Sequence, residues 1–231
     1  MTGGGAIAAG RVVDGVIFDM DGVIVDSEHL WGRSWGAFAE RHGRAWSEAD
    51  SVTLQGMSVP EWAVALAALV GRPELADQAR LQCVDHYVAA IESGEGPPLD
   101  GARRLVEEIA RRCRIALASS APRRGIDAAL RRDRIDGLFT ATVSSEEVPR
   151  GKPFPDVYLE AARRLGLGPS HGAAVEDSGN GIRAAVAAGL AVVALPNQAF
   201  PPPPDALALA EYVAADHDDV LDFLLPRLPR Q

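Results

Sequence analysis

Short apolar runs that end abruptly in polar residues recur along this sequence, and they constrain its fold more than any other feature. The first run, VVDGVIF at 12–18, gives way to the acidic, glycine-containing DMDG. This change is typical of a buried strand that ends at a polar loop. Four further runs share the pattern, at 114–119, 139–145, 173–177 and 191–196. We therefore predict five strands.

Segments with helical spacing separate most of these runs. They cover residues 122–132, 156–166 and 180–188, with glycine after their ends. This alternation of strands and helices predicts an α/β fold, in which helices cover both faces of a parallel sheet. After the last predicted strand, the run FPPPP at 200–204 predicts a stiff surface loop, to which we assign no function.

Residues 28–97 interrupt the alternation with several helical patterns and no strand pattern. Ser58 and Glu61 have the spacing of a capping box, which predicts a helix that begins there. Glycine and proline at 94–98 indicate the return to the sheet. We predict a helical insert at 28–97, called the cap below, on a core formed by residues 12–27 and 98–231, after a flexible N-terminal tail at 1–11.

Composition and charge exclude several classes of function. A formal net charge of −9 argues against a nucleic-acid-binding protein, because binding to the phosphate backbone needs a clustered basic face. The sequence has no apolar run of membrane-spanning length and no signal-peptide pattern at its start, so we expect a cytoplasmic enzyme without a membrane segment. Its two cysteines lack the spacing of a disulfide framework or a zinc site.

Carboxylates and hydroxyls follow the first two predicted strands. Asp19 and Asp21 are two residues apart, so both side chains can face the same side of the sheet, and ligands of open parallel sheets bind at the carboxyl ends of the strands. Ser119 and Ser120 close the second strand just before Pro122, where the N–H groups of a helix N-terminus would bind an anion. A polar turn and ordinary helix caps are the alternative interpretations.

A lysine and an acidic pair add to this set. Lys152 is the only lysine of the chain and lies in GKPFPD, where two prolines stiffen the loop; a surface lysine is the alternative. Glu176 and Asp177 end the fourth predicted strand. Adjacent residues of a strand point to opposite faces, so both reach one ion only if the chain has already turned. A helix cap with a solvated neighbour is the alternative for this pair.

Together these residues supply what the hydrolysis of a phosphate ester through an aspartyl phosphate requires: a nucleophile, a second carboxylate, donors for the phosphate, a cation and an acidic pair. Phosphate and carboxylate repel each other, and a hard cation such as Mg²⁺ removes that obstacle. We therefore predict a magnesium-dependent phosphohydrolase that acts on a small phosphorylated metabolite.

At this point the sequence resembles the haloacid dehalogenase superfamily, in the branch with a helical cap inserted after the first motif. Four segments resemble the four motifs of that family in order and spacing: FDMDGVIVDSEHLW, LASS, GKPFPD and VEDSGNGIRAAVAAG. The resemblance implies a Rossmann-like parallel sheet whose first strand is central and flanked by the second and fourth. It also implies a monomer.

The resemblance implies a role for each matching residue. Asp19 is the expected nucleophile, and Asp21 is the expected acid that protonates the leaving oxygen and the base that then activates water. Ser119, Lys152 and the amide of Ser120 are expected to bind the phosphoryl oxygens. The expected Mg²⁺ ligands are Asp19, the carbonyl of Asp21, Asp177 and Glu176, the last directly or through water. True dehalogenases of this family lack an acidic residue at the position of Asp21, so Asp21 favours phosphoryl transfer over dehalogenation.

Two alternatives stay open at this stage. A β-phosphoglucomutase-type phosphomutase shares the cap and all four motifs, but Trp31 and Val59 align with its cap histidine and arginine, which favours a phosphatase. The second alternative is a phosphate-binding protein without catalytic activity. Such a protein would not need both Asp19 and Asp21, so their presence favours an enzyme.

The cap is the region where we expect substrate choice. The DSEHLW segment resembles sugar-phosphate phosphatases, which implies hexose, deoxyhexose or polyol phosphates as substrates. The cap residues expected to set specificity are Glu28, His29, Trp31, Arg33, Gln55 and Met57. For Trp31 and Met57, packing between cap and core is the alternative interpretation.

Overall fold

The structure is a computed structural model and describes residues 12–55, 57–197 and 201–229. A single parallel sheet lies at its centre. The predicted tail at 1–11 and Phe200 of the proline run lie outside the described residues. The strands are β1 (Gly15–Phe18), β2 (Arg114–Ser119), β3 (Ala141–Ser144), β4 (Gly172–Glu176), β5 (Ala191–Ala194) and β6 (Tyr212–Val213). The predicted α/β fold is confirmed.

The order of the strands is β3-β2-β1-β4-β5-β6, and every neighbouring pair is parallel. β1 is therefore central and is flanked by β2 and β4, as predicted. β1 begins three residues later than predicted, and Val12 is 59% exposed. The strand β6 was not predicted, because two residues are too short for a periodic pattern.

The described part of the chain contains ten α-helices. Within the cap residues they are α1 (Glu28–Arg41), α2 (Glu48–Leu54), α3 (Val59–Leu69) and α4 (Ala76–Glu92). Outside the cap they are α5 (Ala102–Ala110), α6 (Arg123–Arg132), α7 (Asp156–Leu165), α8 (Gly179–Ala187), α9 (Pro204–Leu207) and α10 (His217–Leu224). None of these helices is long and apolar enough to cross a membrane.

Both faces of the sheet are buried, which explains why its strands are apolar throughout. Val16 and Phe18 of β1 pack in one hydrophobic cluster, whereas Ile17 between them packs in a second cluster with Val157 and Ala161 of α7. Successive side chains of a strand point to opposite faces, so an apolar run without alternation is what a covered parallel sheet requires.

The cap joins the core through two chain segments that run side by side. The N–H of Asp26 donates to the carbonyl of Pro97 at 3.0 Å, and the N–H of Leu99 donates to the carbonyl of Ile24 at 2.9 Å. The predicted capping box is present at the start of α3, where the N–H of Ser58 donates to Glu61 Oε2 at 2.9 Å. The cap therefore begins and ends at one edge of the core, beside the end of β1.

Candidate active site

The four motifs meet at the carboxyl edge of the sheet. Asp19 directly follows β1, Ser119 ends β2, and Glu176 ends β4 with Asp177 after it. Phe18 of β1 is in register with Leu117 of β2 and Val175 of β4, so these strands end at the same height. The separate polar clusters of the sequence therefore form one site.

Lys152 lies at the centre of this site, in the loop before α7. Its Nζ is 2.9 Å from Asp19 Oδ1 and 2.6 Å from Glu176 Oε1, and the side chain is 3% exposed. Burial disfavours the ammonium form, but the charges of Asp19 and Glu176 outweigh burial and raise the pKa of Lys152 above its ordinary value. The alternative of a surface lysine is wrong.

Glu176 is fully buried, and protein donors occupy both of its oxygens. Oε1 accepts hydrogen bonds from Lys152 Nζ and, at 2.7 Å, from the hydroxyl of Tyr158. Oε2 accepts from the N–H and the Oγ of Ser178, both at 3.0 Å. A Cβ at Gly181 would lie 1.7 Å from Oε1, so only glycine fits there. Tyr158 was missed from the sequence, because a tyrosine in an amphipathic helix reads as core packing.

Asp177 reaches the same site because the chain has left β4 before this residue. Carboxylate oxygens of Asp19, Glu176 and Asp177 all lie within 4.8 Å of one another. Gly22 makes this approach possible: its φ is +76°, and a Cβ there would lie 1.9 Å from Asp177 Oδ2. The three carboxylates thus form a compact cluster that could hold a metal ion.

The electrostatics of this cluster fit a divalent cation. Burial raises the pKa of Asp19 to about 8, although Lys152 opposes the shift. Burial also raises the pKa of Asp177 well above its ordinary value, and the charges of Glu176 and Asp19 add to it. One ammonium group does not balance three buried carboxylates, so a hard, oxygen-liganded ion such as Mg²⁺ suits the site.

Asp21 is held by hydroxyl groups. Its Oδ1 accepts hydrogen bonds from Ser27 Oγ and, at 2.9 Å, from the hydroxyl of Tyr87, while Ser119 Oγ lies 3.5 Å from Oδ2. Burial raises the pKa of Asp21, and the hydrogen bonds from Ser27 and Tyr87 oppose the shift. Burial and the charge of Asp21 raise the pKa of Tyr87 well above its ordinary value, so its hydroxyl stays a donor. Ser27 lies within the first motif segment but was not predicted as a site residue, and no sequence motif indicated Tyr87.

Ser119 and Ser120, at the end of β2, do not cap the next helix. The N-cap residue of α6 is Pro122, and the first N–H of that helix, from Arg123, donates to Glu146 Oε2 at 2.9 Å. Ser119 is buried and accepts a hydrogen bond from the N–H of Ala121 at 3.0 Å, whereas Ser120 lines the cavity next to the site. The helix-cap alternative for the two serines is therefore wrong, and the helix N-terminus that was predicted to bind an anion already has its first N–H engaged by Glu146.

A cavity of about 510 Å³ lies over the carboxylates, between core and cap. Of the predicted cap residues, Glu28, Trp31, Gln55 and Met57 line it. His29 and Arg33 do not line it: His29 lies 3.7 Å from Asp26, and Arg33 is ion-paired with Glu95. The four predicted residues of α1 span more than one helical turn and cannot all face the cavity, since a helix presents residues three or four apart on one face.

Three tryptophans form the cap wall of this cavity. Trp31 stacks on Tyr87 with ring centroids 4.1 Å apart, and Trp35 and Trp62 lie 6.1 Å and 5.6 Å from Trp31. Trp31 is 9% exposed, so it both packs in the cap and lines the cavity. Trp35 and Trp62 were missed, although the spacing of four between Trp31 and Trp35 places them on one helix face.

Other lining residues were also missed from the sequence. Pro201, Pro202 and Pro203 of the proline run, to which the sequence analysis assigned no function, contribute to the wall. The full set of lining residues not predicted is Trp35, Val52, Leu54, Trp62, Ala121, Ser178, Gly179, Asn180, Arg183, Pro201, Pro202 and Pro203. These segments are far apart in sequence, so only the folded chain brings them together.

Glu28 is the acidic group of the cap wall. Its Oε2 accepts a hydrogen bond from Asn197 Nδ2 at 2.6 Å, which links the start of α1 to the segment after β5. Burial raises the pKa of Glu28 to about 7, and the charge of Asp21 adds to the shift. Glu28 therefore offers a polar contact in a wall that is otherwise largely aromatic.

Comparisons with known proteins agree with this geometry. A phosphorylated carbohydrates phosphatase of Thermotoga maritima is 33% identical over 184 residues, which cover 77% of this chain and 82% of that protein. Hexitol phosphatase B of Escherichia coli strain K12 is 30% identical over 198 residues, which cover 80% and 85%. The crystal structure of β-phosphoglucomutase from Clostridium difficile superposes with a TM-score of 0.79 at 22% identity, covering 93% and 96%, and this likeness shows the shared fold.

The family model for haloacid dehalogenase-like hydrolases matches residues 13–189, which include all four motifs. The relatives named as phosphatases also support the predicted enzyme class, a phosphoric monoester hydrolase. With the parallel sheet and the clustered motif residues, this match confirms the resemblance found in the sequence: the chain belongs to the haloacid dehalogenase-like hydrolases.

Proposed function

We propose that this chain is a magnesium-dependent phosphatase that hydrolyses a small sugar or polyol phosphate through an aspartyl-phosphate intermediate. The observation that carries the proposal is the position of Lys152 Nζ, 2.9 Å from Asp19 Oδ1 at the floor of the cavity. A nucleophilic carboxylate beside a buried cation is what attack on a phosphoryl group requires. The names of the two phosphatase relatives support a phosphorylated carbohydrate or hexitol as substrate.

The reaction proceeds in two displacements. First, an oxygen of Asp19 attacks phosphorus, the bond from phosphorus to the leaving oxygen breaks, and the protonated Asp21 carboxyl group gives its proton to that oxygen. Then Asp21 takes a proton from water, whose oxygen attacks the aspartyl phosphate, releases inorganic phosphate and regenerates Asp19. Lys152, Ser119 and the amide of Ser120 hold the phosphoryl oxygens during both steps.

The residues that would hold Mg²⁺ are Asp19, the carbonyl of Asp21 and Asp177. Glu176 would reach the ion only through water, because protein donors already engage both of its oxygens. When bound, the ion neutralises the repulsion between Asp19 and the phosphate. Glu176 in turn fixes the position of Lys152.

The charges of the cavity favour a leaving group without a second anionic group. Among the described lining residues the basic ones are Lys152, used for the phosphate, and Arg183, which is ion-paired with Asp205. Glu28 adds an acid on the cap side. Val59, which aligns with the phosphate-gripping arginine of the mutases, is 1% exposed and apolar. These features favour a monophosphate whose other end is neutral, and they disfavour the phosphomutase.

Phosphate release from a panel of sugar and polyol phosphates tests the proposal, with Mg²⁺ or with EDTA, for the native chain and for Asp19→Asn. We expect release that needs Mg²⁺ and is absent in the variant, and ³²P from a labelled substrate should be trapped on the native protein by acid quenching. Release that is unaffected by EDTA, or label on Asp19→Asn, would contradict it. Conversion of glucose 1-phosphate to glucose 6-phosphate without net release would instead identify the phosphomutase.

A further inference from the structure

Tyr87 is a cap residue whose hydroxyl contacts a core carboxylate. It lies on α4, the last helix of the cap, and is 0% exposed. Its hydroxyl donates to Asp21 Oδ1 at 2.9 Å, across 66 residues of sequence. A side chain of the cap therefore takes part in the environment of the expected acid and base.

The ring of Tyr87 is fixed on two sides. One face stacks on Trp31 of α1, with centroids 4.1 Å apart and planes inclined by 12°. An edge lies against Gly125 of α6, where a Cβ would be 2.7 Å from Cε1 of the ring. Because one contact belongs to the cap and the other to the core, the hydroxyl reaches Asp21 only when α4 is seated on α6.

The two oxygens of Asp21 differ in their hydrogen bonds. Oδ1 accepts from both Ser27 Oγ and Tyr87, whereas Oδ2 has only Ser119 Oγ, at 3.5 Å. The terminal torsion of an aspartate is broad, so donors on one oxygen decide which way the carboxyl group turns. With Oδ1 engaged on the cap side, Oδ2 is the oxygen that remains for a leaving group.

We propose that Tyr87 is a positioning residue that links the seating of the cap to the orientation of Asp21, so that Asp21 Oδ2 exchanges the proton with the leaving oxygen. The inference rests on the proposed phosphatase activity. A carboxyl group turned away from the leaving oxygen transfers its proton poorly, and small misplacements of a catalytic group are costly.

Tyr87→Phe tests the role, because it removes the hydroxyl and keeps the ring between Trp31 and Gly125. Two substrates separate proton donation from phosphate binding: a sugar phosphate, whose alkoxide needs a proton, and p-nitrophenyl phosphate, whose phenolate leaves without one. We expect kcat/KM for the sugar phosphate to fall about 10- to 100-fold and kcat/KM for p-nitrophenyl phosphate to fall less than about threefold. The parameter is kcat/KM because it reports only the steps up to formation of the aspartyl phosphate and leaves out the later attack of water, which both substrates share.

Two further variants guard against a purely structural explanation. Tyr212→Phe removes a similar bond, from the Tyr212 hydroxyl to Asp219 Oδ1 at 2.7 Å, on β6, and should leave both rates unchanged. Gly125→Ala displaces the Tyr87 ring without touching Asp21 and should reproduce the selective loss. Thermal unfolding of each variant shows whether it is folded.

The outcomes separate the inference from the proposed function. Equal losses of kcat/KM for both substrates, or no loss for either, in folded Tyr87→Phe would overturn the role of Tyr87. A native protein that releases phosphate from neither substrate, with Mg²⁺ present, would overturn the phosphatase itself. A loss confined to the sugar phosphate in both Tyr87→Phe and Gly125→Ala supports the inference.

Discussion

The floor and the cap wall of the cavity are built by different physics. The floor consists of Asp19, Lys152, Glu176 and Asp177, which are between 0% and 6% exposed, and Lys152 Nζ lies at hydrogen-bonding distance from Asp19 and Glu176. On the cap wall, tryptophans and Met57 pack by apolar contact, and Glu28 is the acidic group. Directional electrostatic interactions hold the floor, whereas non-directional apolar packing forms most of the wall.

This difference leads us to expect that the floor determines catalysis and the wall determines substrate selectivity. Charge-assisted hydrogen bonds depend steeply on distance and angle, so the floor tolerates few replacements. Apolar contacts are non-directional and scale with area, so the wall can change its residues and accept another leaving group. We therefore expect substitutions on the floor to act on all substrates and substitutions on the wall to act on some.

The largest effect should come from Asp19→Asn on the floor. We expect kcat to fall by at least about 10⁴-fold for every substrate, because the nucleophile is lost while the shape is kept. The midpoint of thermal unfolding should be equal or higher, since a buried carboxylate with a raised pKa is removed. Steady-state kinetics and a melting curve measure both, and a residual rate within tenfold of the native value would refute the nucleophile.

The second effect concerns the buried cation. Lys152→Arg keeps the charge, but a planar guanidinium does not fit between Asp19 and Glu176, so kcat should fall on the order of 100-fold for sugar and aryl phosphates alike. Arg163→Lys, at an exposed position of α7, makes the reverse exchange as a control and should leave the kinetics unchanged. Equal kinetics for Lys152→Arg would show that only the net charge matters.

A substitution on the cap wall should redistribute activity between substrates. Met57→Ala enlarges the cavity, so the ratio of kcat/KM between a small and a large sugar phosphate should change about tenfold in favour of the large one. The kcat for p-nitrophenyl phosphate should stay within about twofold of the native value. Leu81→Ala, at an exposed position of the cap, is the control. A uniform loss for every substrate would remove the distinction between floor and wall.

The smallest effect is on stability and depends on pH. Burial raises the pKa of Glu28 from 4.5 to about 7, so below pH 4.5 the group is protonated in both the folded and the unfolded chain and contributes nothing. Between these values the unfolded chain loses the proton first, and stability falls as pH rises. Above pH 7 the loss of unfolding free energy caused by the buried, ionised Glu28 is constant, at about 1–3 kcal/mol.

The substitution Glu28→Gln should remove the loss of unfolding free energy that ionisation of Glu28 causes. Urea unfolding at pH 5 and pH 8 should show a smaller loss of unfolding free energy in the variant than in the native chain, because glutamine does not ionise. Glu40→Gln, on the exposed side of α1, should keep the native pH dependence. An identical pH dependence for Glu28→Gln and the native chain would show that Glu28 is solvated in solution.

The sequence predicted the floor of the cavity but little of its wall. Asp19, Ser119 and Glu176 each end or follow an apolar run, and in a parallel sheet all such ends lie at one edge. Their convergence therefore follows from local pattern and topology. The positions of His29 and Arg33 outside the cavity did not follow, because a helical stretch does not reveal which of its faces meets a neighbour.

By itself, then, the sequence determined the α/β sheet, the order of the motifs and the charges at the strand ends, since these depend on residues near one another in the chain. Only the tertiary structure decided that Tyr158 binds Glu176, that Tyr87 binds Asp21, and that prolines 201–203 close the cavity. Contacts of this kind join helices and loops that are distant in sequence. They arise from how side chains fill the space between packed elements, and no local periodicity encodes that packing.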